Sequence, residues 1–269
     1  MKSAIKKYIP YALGTKLRGS WQIAQSIFYI GNKYYCPFCK SKLRKLLPGG
    51  FDLPIINEKR IIGAGRRDNC ICPRCYSTDR DRLIYLYLTH FTNINTEHNR
   101  MLHVAPSGSL KALLSTIPNL EYQEGIKHHE GFYYSKDISI IDIRKLDIED
   151  NTFNIIFCNH VLEHIQEDLQ AMKELYRVLK PGGWALLQVP ISRVLKETYE
   201  DFSITSEKER EEHFGQFDHV RIYGSDYPKR LEKAGFTVEL INLNIGWEIA
   251  DIEKYAINTE ETLYIAHKK

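Results

Sequence analysis

Cysteine is the residue type whose spacing in this chain points most directly to chemistry. Two pairs, each separated by two residues, occur in "YYCPFCK" and "ICPRCYS": Cys36 with Cys39, and Cys72 with Cys75. A two-residue gap lets both thiolates of a tight turn face one ion, and two such turns complete a tetrahedral shell. The four cysteines therefore predict a structural Zn²⁺ site that leaves no position for a water molecule.

A redox dithiol and a disulfide are the alternatives to zinc at these cysteines. A cytosolic chain disfavours disulfides, and neither pair lies in a thioredoxin-like βαβ unit. The 32 residues between Cys39 and Cys72 exceed the usual spacing, but the entropy of loop closure grows only logarithmically with length. Zinc stays the favoured interpretation, and we expect Cys70 and Cys158 to be buried strand residues outside the metal site.

Histidines and acids form a second group in "TYEDFSITSEKEREEHFGQFDHVRIYG". An exposed helix accounts for the glutamates, whereas the histidines, aromatics and glycines of "HFGQFDHVRIYG" are typical of a lid or a substrate loop. We expect His219 to act as a general base that Asp218 or a neighbouring acid orients. A metal site made of His213, Asp218 and His219 is disfavoured, because the spacing fits no usual ligand pattern.

The elements that must position these groups alternate between strands and helices. Residues 77–91 predict a helix capped by Ser77 or Asp79, and a later helix is predicted after a cap at Ser225. The predicted strands include "RMLHVA", "GFYYSKD", "FNIIFCNHV", "WALLQVP" and the last one, "ETLYIAH". This alternation predicts an α/β fold with a doubly wound, mostly parallel sheet. Ligands of such sheets bind beyond the carboxyl ends of the strands, at the switch point.

Charge is distributed unevenly along the chain. Residues 1–51 contain ten Lys or Arg and no acid, which leaves 27 basic against 34 acidic residues in the remainder. Such a basic segment suits nucleic acid, an anionic membrane surface or an acidic substrate, or it neutralises the acidic body in cis. The spacing of Trp21, Ala24, Ile27 and Phe28 predicts an amphipathic helix that packs onto the core, with docking on a membrane surface as the alternative.

Membrane-spanning and secretory features are missing from the sequence. No apolar run approaches the roughly 20 residues that cross a bilayer, and the first residues, "MKSAIKKYIPYALG", lack the apolar core and cleavage site of a secretory signal. We therefore expect a cytoplasmic protein. The sequence sets no oligomeric state.

The run "DIEDNTFNIIFCNHVLEHIQEDLQAMKELYRVLKPGGWALLQVP" resembles the class I methyltransferases that use S-adenosylmethionine, especially those acting on small molecules. The resemblance extends over about residues 100–269 and implies a seven-stranded Rossmann-like sheet with S-adenosylmethionine as methyl donor. Some family members, including certain ribosomal RNA methyltransferases, carry a zinc module in front. The chain is accordingly divided into a basic arm (1–33), a zinc-ribbon-like module (34–78) and a methyltransferase domain (79–269).

The resemblance also implies roles for individual polar residues. Asp137 matches the acid after the second strand, whose carboxylate accepts hydrogen bonds from the ribose hydroxyls, and Asp142 matches the acid that contacts adenine. Glu124 is the substitute for the ribose contact. Asn159 and His160 follow the fourth strand, beside the transferred methyl group, where they shape the cofactor pocket or His160 serves as a base.

The loop after the first strand, in "MLHVAPSGSL", departs from the glycine-rich pattern of the family. His103, Ala105, Ser107 and Ser109 stand where the family has an acid and three glycines, and Gly108 is the one permissive position. Alanine and serine are the next smallest residues, and S-adenosylmethionine has no phosphate that needs a full cradle of N–H groups. We expect His103, Ala105, Ser107 and Gly108 still to bind its methionine end.

Three functions are consistent with these motifs and with the resemblance. The favoured one is methylation of a small-molecule hydroxyl, on a sugar, glycan precursor or metabolite, because no "NPPY"-type tetrapeptide occurs and the histidine-rich loop suits a hydroxyl acceptor. The second is RNA methylation, in which the zinc module and the basic arm dock the RNA. The third is a noncatalytic protein that keeps the cofactor fold.

Overall fold

The computed structural model describes residues 21–126, 139–242, 247 and 249–269. Most of the predicted basic arm, the predicted strand "GFYYSKD" and Asp137 lie outside these described residues.

Helices and strands alternate along the described chain. The helices are α1 (Pro54–Glu58), α2 (Asp79–Phe91), α3 (Gly108–Leu114), α4 (Asp168–Val178), α5 (Glu207–Phe214), α6 (Tyr227–Lys233) and α7 (Ile249–Lys254), with 3₁₀ turns at Ile27–Tyr29 and Leu162–His164. The strands are β1 (Ile30–Cys36), β2 (Ser41–Leu43), β3 (Leu47–Gly49), β4 (Ile61–Ile62), β5 (Arg67–Ile71), β6 (Asn99–Val104), β7 (Leu120–Ile126), β8 (Ser139–Ile140), β9 (Phe153–Cys158), β10 (Leu179–Leu186), β11 (Ile191–Ser192), β12 (Tyr199–Glu200), β13 (Arg221–Ile222), β14 (Thr237–Asn242) and β15 (Thr262–His267).

Seven of these strands form one sheet in the order β14-β15-β10-β9-β6-β7-β8. β15 is antiparallel to both of its neighbours, and the remaining adjacent pairs are parallel. Apolar clusters cover the sheet, one including Met172 and Leu175 of α4 and the other Leu83 and Leu86 of α2. Because both faces are covered, a central strand such as β9 is almost continuously apolar. The doubly wound, mostly parallel α/β fold is thereby confirmed.

One strand next to β6 differs from the strand predicted there from the sequence. The strand beside β6 is β7, with residues 120–126, and not "GFYYSKD". β7 carries two glutamates and a glutamine, so its apolar pattern is weak. The helix caps differ as well: Thr78 caps α2 through a reciprocal capping box with Asp81, and Asp226, not Ser225, precedes α6.

The cysteine-bearing module consists of short antiparallel pairs, β1 with β2 and β3 with β5. Residues 50–66 between β3 and β5 leave the module and contact the segment that follows β10. There β4 pairs with β11, and Ile56 of α1 packs in a cluster with Phe214 of α5. The long segment between the two cysteine pairs therefore joins the module to the region that follows β10.

Arg82 holds the module against the sheet domain. Its guanidinium is fully buried and donates hydrogen bonds to the carbonyls of Ser77, Cys70, Tyr255 and Ala256. Charge-assisted hydrogen bonds of this kind compensate the loss of hydration. Cys70 in β5 and Cys158 in β9 are both buried, which confirms their prediction as strand residues.

The predicted helix near residue 21 forms, but its apolar side chains do not reach the core. Residues 21–26 are helical, and Trp21, Ile27 and Phe28 are 66%, 62% and 74% exposed. The expectation that this face packs onto the core is therefore wrong for the described chain. Within the described residues, no helix combines the length and apolar character needed to cross a bilayer.

Candidate functional site

A cleft of about 760 Å³ opens where β6, β8 and β9 end. The chain reverses direction across the sheet between β6 and β9, which is the switch point at which doubly wound sheets bind ligands. Its lining includes Ala105 after β6, Asp142 after β8, and His160 and His164 after β9. The volume is in the range of small-molecule sites in proteins.

Two of these residues adopt left-handed backbone conformations. Ala105 has φ +48° and His160 has φ +56°. Backbone hydrogen bonds hold both, since Ala105 N–H donates to the carbonyl of Gly125 in β7 and His160 N–H donates to the carbonyl of Gln188 after β10. Non-glycine residues in this region are strained, and such strain concentrates at ligand sites.

Asp81, buried at the start of α2, organises the loop after β6. It accepts hydrogen bonds from the hydroxyls of Ser107 and Ser109 at 2.9 and 2.8 Å. Ser107 also caps α3, because its Oγ accepts from the N–H of Leu110. The loop is therefore fixed by serine hydroxyls and a distant carboxylate instead of by glycine.

Of the four loop residues predicted to bind the cofactor, Ala105 alone is among the described cleft-lining residues. Ser107 is engaged by Asp81, and a Cβ added to Gly108 would meet open space. His103 is buried on β6, with Nδ1 3.0 Å from the hydroxyl of Tyr122. Burial lowers the pKa of His103 to about 3, so this side chain is a neutral core residue in this arrangement.

Asp142 is the predicted cofactor acid that lines the cleft. It forms a two-pronged ion pair with Arg144, in which Nη2 and Oδ2 are 2.8 Å apart, and Arg144 also contacts Glu167 at 3.1 Å. These side chains are about half exposed. Glu124, the alternative ribose ligand, is paired with Lys111 at 2.7 Å.

A histidine cluster lies beside the cleft, made of Glu163 and His164 from the 3₁₀ turn and His219 from the segment before β13. One ligand-type atom from each of the three residues lies within 4.8 Å of the other two. His160 Nδ1 is 3.2 Å from Glu163 Oε1, and His164 Nδ1 is 3.2 Å from Asp218 Oδ2. The structure therefore places Asp218 against His164, whereas the sequence analysis expected Asp218 or a neighbouring acid to orient His219.

Burial and charge act on these groups in opposite directions. Burial disfavours the charged form of Glu163, but the His160 hydrogen bond and the nearby histidines bring its pKa to about 2. Burial lowers the pKa of His219 to about 4 and also lowers the pKa of His160, despite the neighbouring carboxylate. At neutral pH Glu163 is therefore a carboxylate, and the imidazoles of His160 and His219 are neutral.

Arg221 fixes the distant segment against the 3₁₀ turn. Its fully buried guanidinium donates to the carbonyls of Leu162, Ile165 and Gln166 and pairs with Glu200 at 2.9 Å. The N–H of Val220 donates to the carbonyl of Glu163. These contacts bring His219 to the turn although the two segments are far apart in sequence.

The predicted catalytic residues occupy different positions relative to the cleft. His160 and Asp218 line it, whereas His219 is 3% exposed and is not among its lining residues. Asn159 has both amide atoms buried without a hydrogen-bond partner among the described residues. His164, which the sequence analysis does not single out, also lines the cleft, and its position four residues after His160 was the available signal.

The four predicted zinc ligands come together in the module. Cys36 Sγ lies 3.5 Å from Cys75 Sγ, and Cys39 Sγ lies 3.7 Å from Cys72 Sγ. Tetrahedral zinc with bonds of about 2.3 Å places its sulfur ligands about 3.8 Å apart. The donor set and the separations therefore fit Zn²⁺, and Cys70 lies apart, at 3.2 Å from Asp79.

Comparison with known proteins gives a family match within the sheet domain. Residues 119–187 match the model of a family described as "Methyltransferase domain". A Mycolicibacterium smegmatis protein named "Probable S-adenosylmethionine-dependent methyltransferase" is 27% identical over 124 residues, which cover 46% of this chain and 44% of that protein. Phosphoethanolamine N-methyltransferase 3 of Arabidopsis thaliana is 30% identical over 111 residues, which cover 41% of this chain and 21% of that protein.

The chain spans less than half the length of these curated relatives. Among solved structures, an S-adenosylmethionine-dependent methyltransferase from Mesorhizobium loti aligns with a TM-score of 0.45 and 11% identity, over 70% of this chain and 98% of that one.

Proposed function

We propose that this chain is an S-adenosylmethionine-dependent methyltransferase that acts on a hydroxyl group of a small molecule. The single observation that carries the proposal is the cleft at the switch point, which lies next to the segment matching the methyltransferase family. A sugar, a glycan precursor or a metabolite is the class of acceptor that fits a cleft of this size with histidines on one wall.

S-adenosylmethionine, when bound, supplies the electrophilic methyl group. The chain's own residues fit it at the cleft, where Ala105 leaves room at the end of β6 and Asp142 offers a carboxylate after β8. Arg144 holds Asp142 in an exposed ion pair, and such pairs are weak enough to rearrange around a ligand. We assign Asp142 to the nucleoside and the Ala105 backbone to the methionine end.

His160 is the residue we assign as general base. Its Nδ1 faces the carboxylate of Glu163, so the proton resides on Nδ1 and the Nε2 lone pair is free to accept a proton. Nε2 is buried and has no partner among the described residues. Nε2 would accept the proton of the acceptor hydroxyl, whose oxygen would take the methyl group that S-adenosylmethionine supplies. His219, the base expected from the sequence, is not among the residues that line the cleft, whereas His160 is, so we assign the role to His160.

The second part of the proposal is a structural Zn²⁺ ion at Cys36, Cys39, Cys72 and Cys75. Four thiolates leave no open position, so the ion stabilises the module and takes no part in methyl transfer. We retain the division into a basic arm, a zinc-ribbon-like module and a methyltransferase domain.

The test uses the full chain with methyl-labelled S-adenosylmethionine. It is incubated separately with the small-molecule fraction and the RNA fraction of a cell extract. We expect the label to appear in the small-molecule fraction. The rate of labelling should fall by roughly 10²-fold or more in His160→Asn. It should stay unchanged in His90→Asn, which changes an exposed histidine outside the cleft. Label that appears in RNA alone would contradict the hydroxyl acceptor, and absence of heat with S-adenosylmethionine in calorimetry would overturn the proposal as a whole.

A further inference from the structure

We propose that Glu163, His164 and His219 bind a first-row divalent transition-metal ion beside the cleft. Two imidazoles and one carboxylate are the donor set preferred by Zn²⁺, Mn²⁺, Fe²⁺, Co²⁺ and Ni²⁺, whereas Mg²⁺ and Ca²⁺ prefer oxygen ligands alone. One ligand-type atom of each residue already lies within 4.8 Å of such an atom in the other two. Ligands on one ion at about 2.1 Å would be roughly 3.4 Å apart, so modest side-chain rotations close the site.

Unpartnered buried atoms give the second line of evidence. Glu163 Oε2 and His219 Nε2 have no hydrogen-bond partner among the described residues, and their residues are 1% and 3% exposed. Burying a carboxylate oxygen and an imidazole nitrogen without partners costs free energy. A cation placed between them satisfies both atoms at once.

The surrounding hydrogen bonds are those that metal ligands have. Asp218 accepts from His164 Nδ1 through its carboxylate at 3.2 Å and its backbone carbonyl at 3.3 Å, which leaves the Nε2 lone pair for an ion. The other oxygen of Glu163, Oε1, is held by His160. Carboxylate and carbonyl partners of this kind fix the tautomer and orientation of metal-bound histidines.

The position of the site determines what an ion there can do. Three protein ligands leave at least one coordination position open, and His164 lies in the cleft lining. The ion would therefore bind an oxygen of the acceptor and orient it. This role rests on the proposed function, whereas metal binding itself does not.

Calorimetry with Co²⁺ and with Mn²⁺, in the absence of S-adenosylmethionine, tests the site. The protein is the full chain carrying a single equivalent of zinc, which the four thiolates hold, so that the added ion reports on the histidine cluster. We expect one further equivalent to bind. His219→Gln and Glu163→Gln keep side-chain volume and should weaken binding by at least about 100-fold, and Asp218→Asn, a positioning residue, by about 10- to 100-fold.

His213→Gln is the matched control, because His213 is an exposed histidine on α5 whose Nδ1 contacts Tyr199 and which lies outside the cluster. It should bind Co²⁺ as the wild type does. Failure of the folded, zinc-filled wild type to take up Co²⁺ or Mn²⁺ would overturn the proposal, as would full affinity in folded His219→Gln. Calorimetry with S-adenosylmethionine on the same samples tests the methyltransferase proposal separately from the metal site.

Discussion

The cysteine cluster (Cys36, Cys39, Cys72 and Cys75) and the histidine cluster (Glu163, His164 and His219) are assembled in different ways. The cysteines come as two local pairs on short turns, and the spacing within each pair already implies convergence on one point. The histidine cluster joins one local pair to a residue from a distant segment, which reaches it through Arg221 and Val220. Spacing reveals the first kind of site, whereas a folded scaffold is needed to reveal the second.

The two regions also differ in what stabilises them. The apolar cluster of the cysteine module is small, with Leu43 and Leu46 as its buried non-cysteine members. The histidine cluster lies at the ends of strands of a large sheet whose core exists independently of it. Loss of metal should therefore unfold the first region and leave the second folded.

Cys72→Ser should give the largest effect. It removes a ligand from a closed site whose binding free energy supplies most of the stability of the module. We expect zinc content to fall from about one ion per chain to a small fraction, together with early unfolding of the module, in elemental analysis and thermal denaturation. Cys70→Ala, a buried thiol outside the cluster, should keep its zinc. Equal zinc contents in the two variants would show that the cysteine cluster is no metal site.

Arg221→Met should destabilise the sheet domain while the cysteine cluster keeps its zinc. The variant leaves Glu200 and three carbonyls without their buried donor, and breaking buried ionic networks costs about 3–5 kcal/mol. Urea denaturation measures the free energy of unfolding, and Lys208→Met, which loses an exposed pair on α5, should match the wild type. Loss of zinc from folded Arg221→Met would contradict the independence of the two regions.

Asp142→Asn should weaken S-adenosylmethionine binding while both clusters remain intact. A hydrogen bond to a charged group contributes about 1.5–3 kcal/mol, which corresponds to a change of about 10- to 100-fold in Kd. Calorimetry measures it, with Asp147→Asn as an exposed acid outside the cleft lining. An unchanged Kd would assign the nucleoside to another group and leave the contrast between the clusters untouched.

The features that the sequence predicts are those that depend on local interactions, and the features that it misses depend on distant ones. The sheet domain could be predicted because its strands and helices carry strong apolar patterns, as in β9 and α4. β7 was not predicted because its charged residues interrupt the apolar pattern. Cys36 and its three partners were found from spacing alone.

The cleft was predicted only in part, because its side chains depend on distant partners. His160 lies at the end of a predicted strand, Asp142 was assigned through the resemblance to the methyltransferases, and both line the cleft. His103 does not, since alternation along β6 directs it into the core beside Tyr122. The pairing of Asp218 with His164 could not be read from the sequence, because it depends on how Arg221 packs against the 3₁₀ turn.

Gly108→Ala should give the smallest effect and tests whether the cofactor loop is positioned by distant contacts, as the histidine cluster is, or by a local glycine. Gly108 is the first residue of α3, its added Cβ meets open space, and it is not among the residues with positive φ. Alanine there should stabilise the fold by up to about 1 kcal/mol through lower entropy of the unfolded chain. The Kd for S-adenosylmethionine should stay within about twofold. Asp81→Asn, which disturbs the carboxylate that both loop serines use, should weaken binding more than Gly108→Ala does. The reverse order would mean that the glycine, and not the distant acid, shapes this loop.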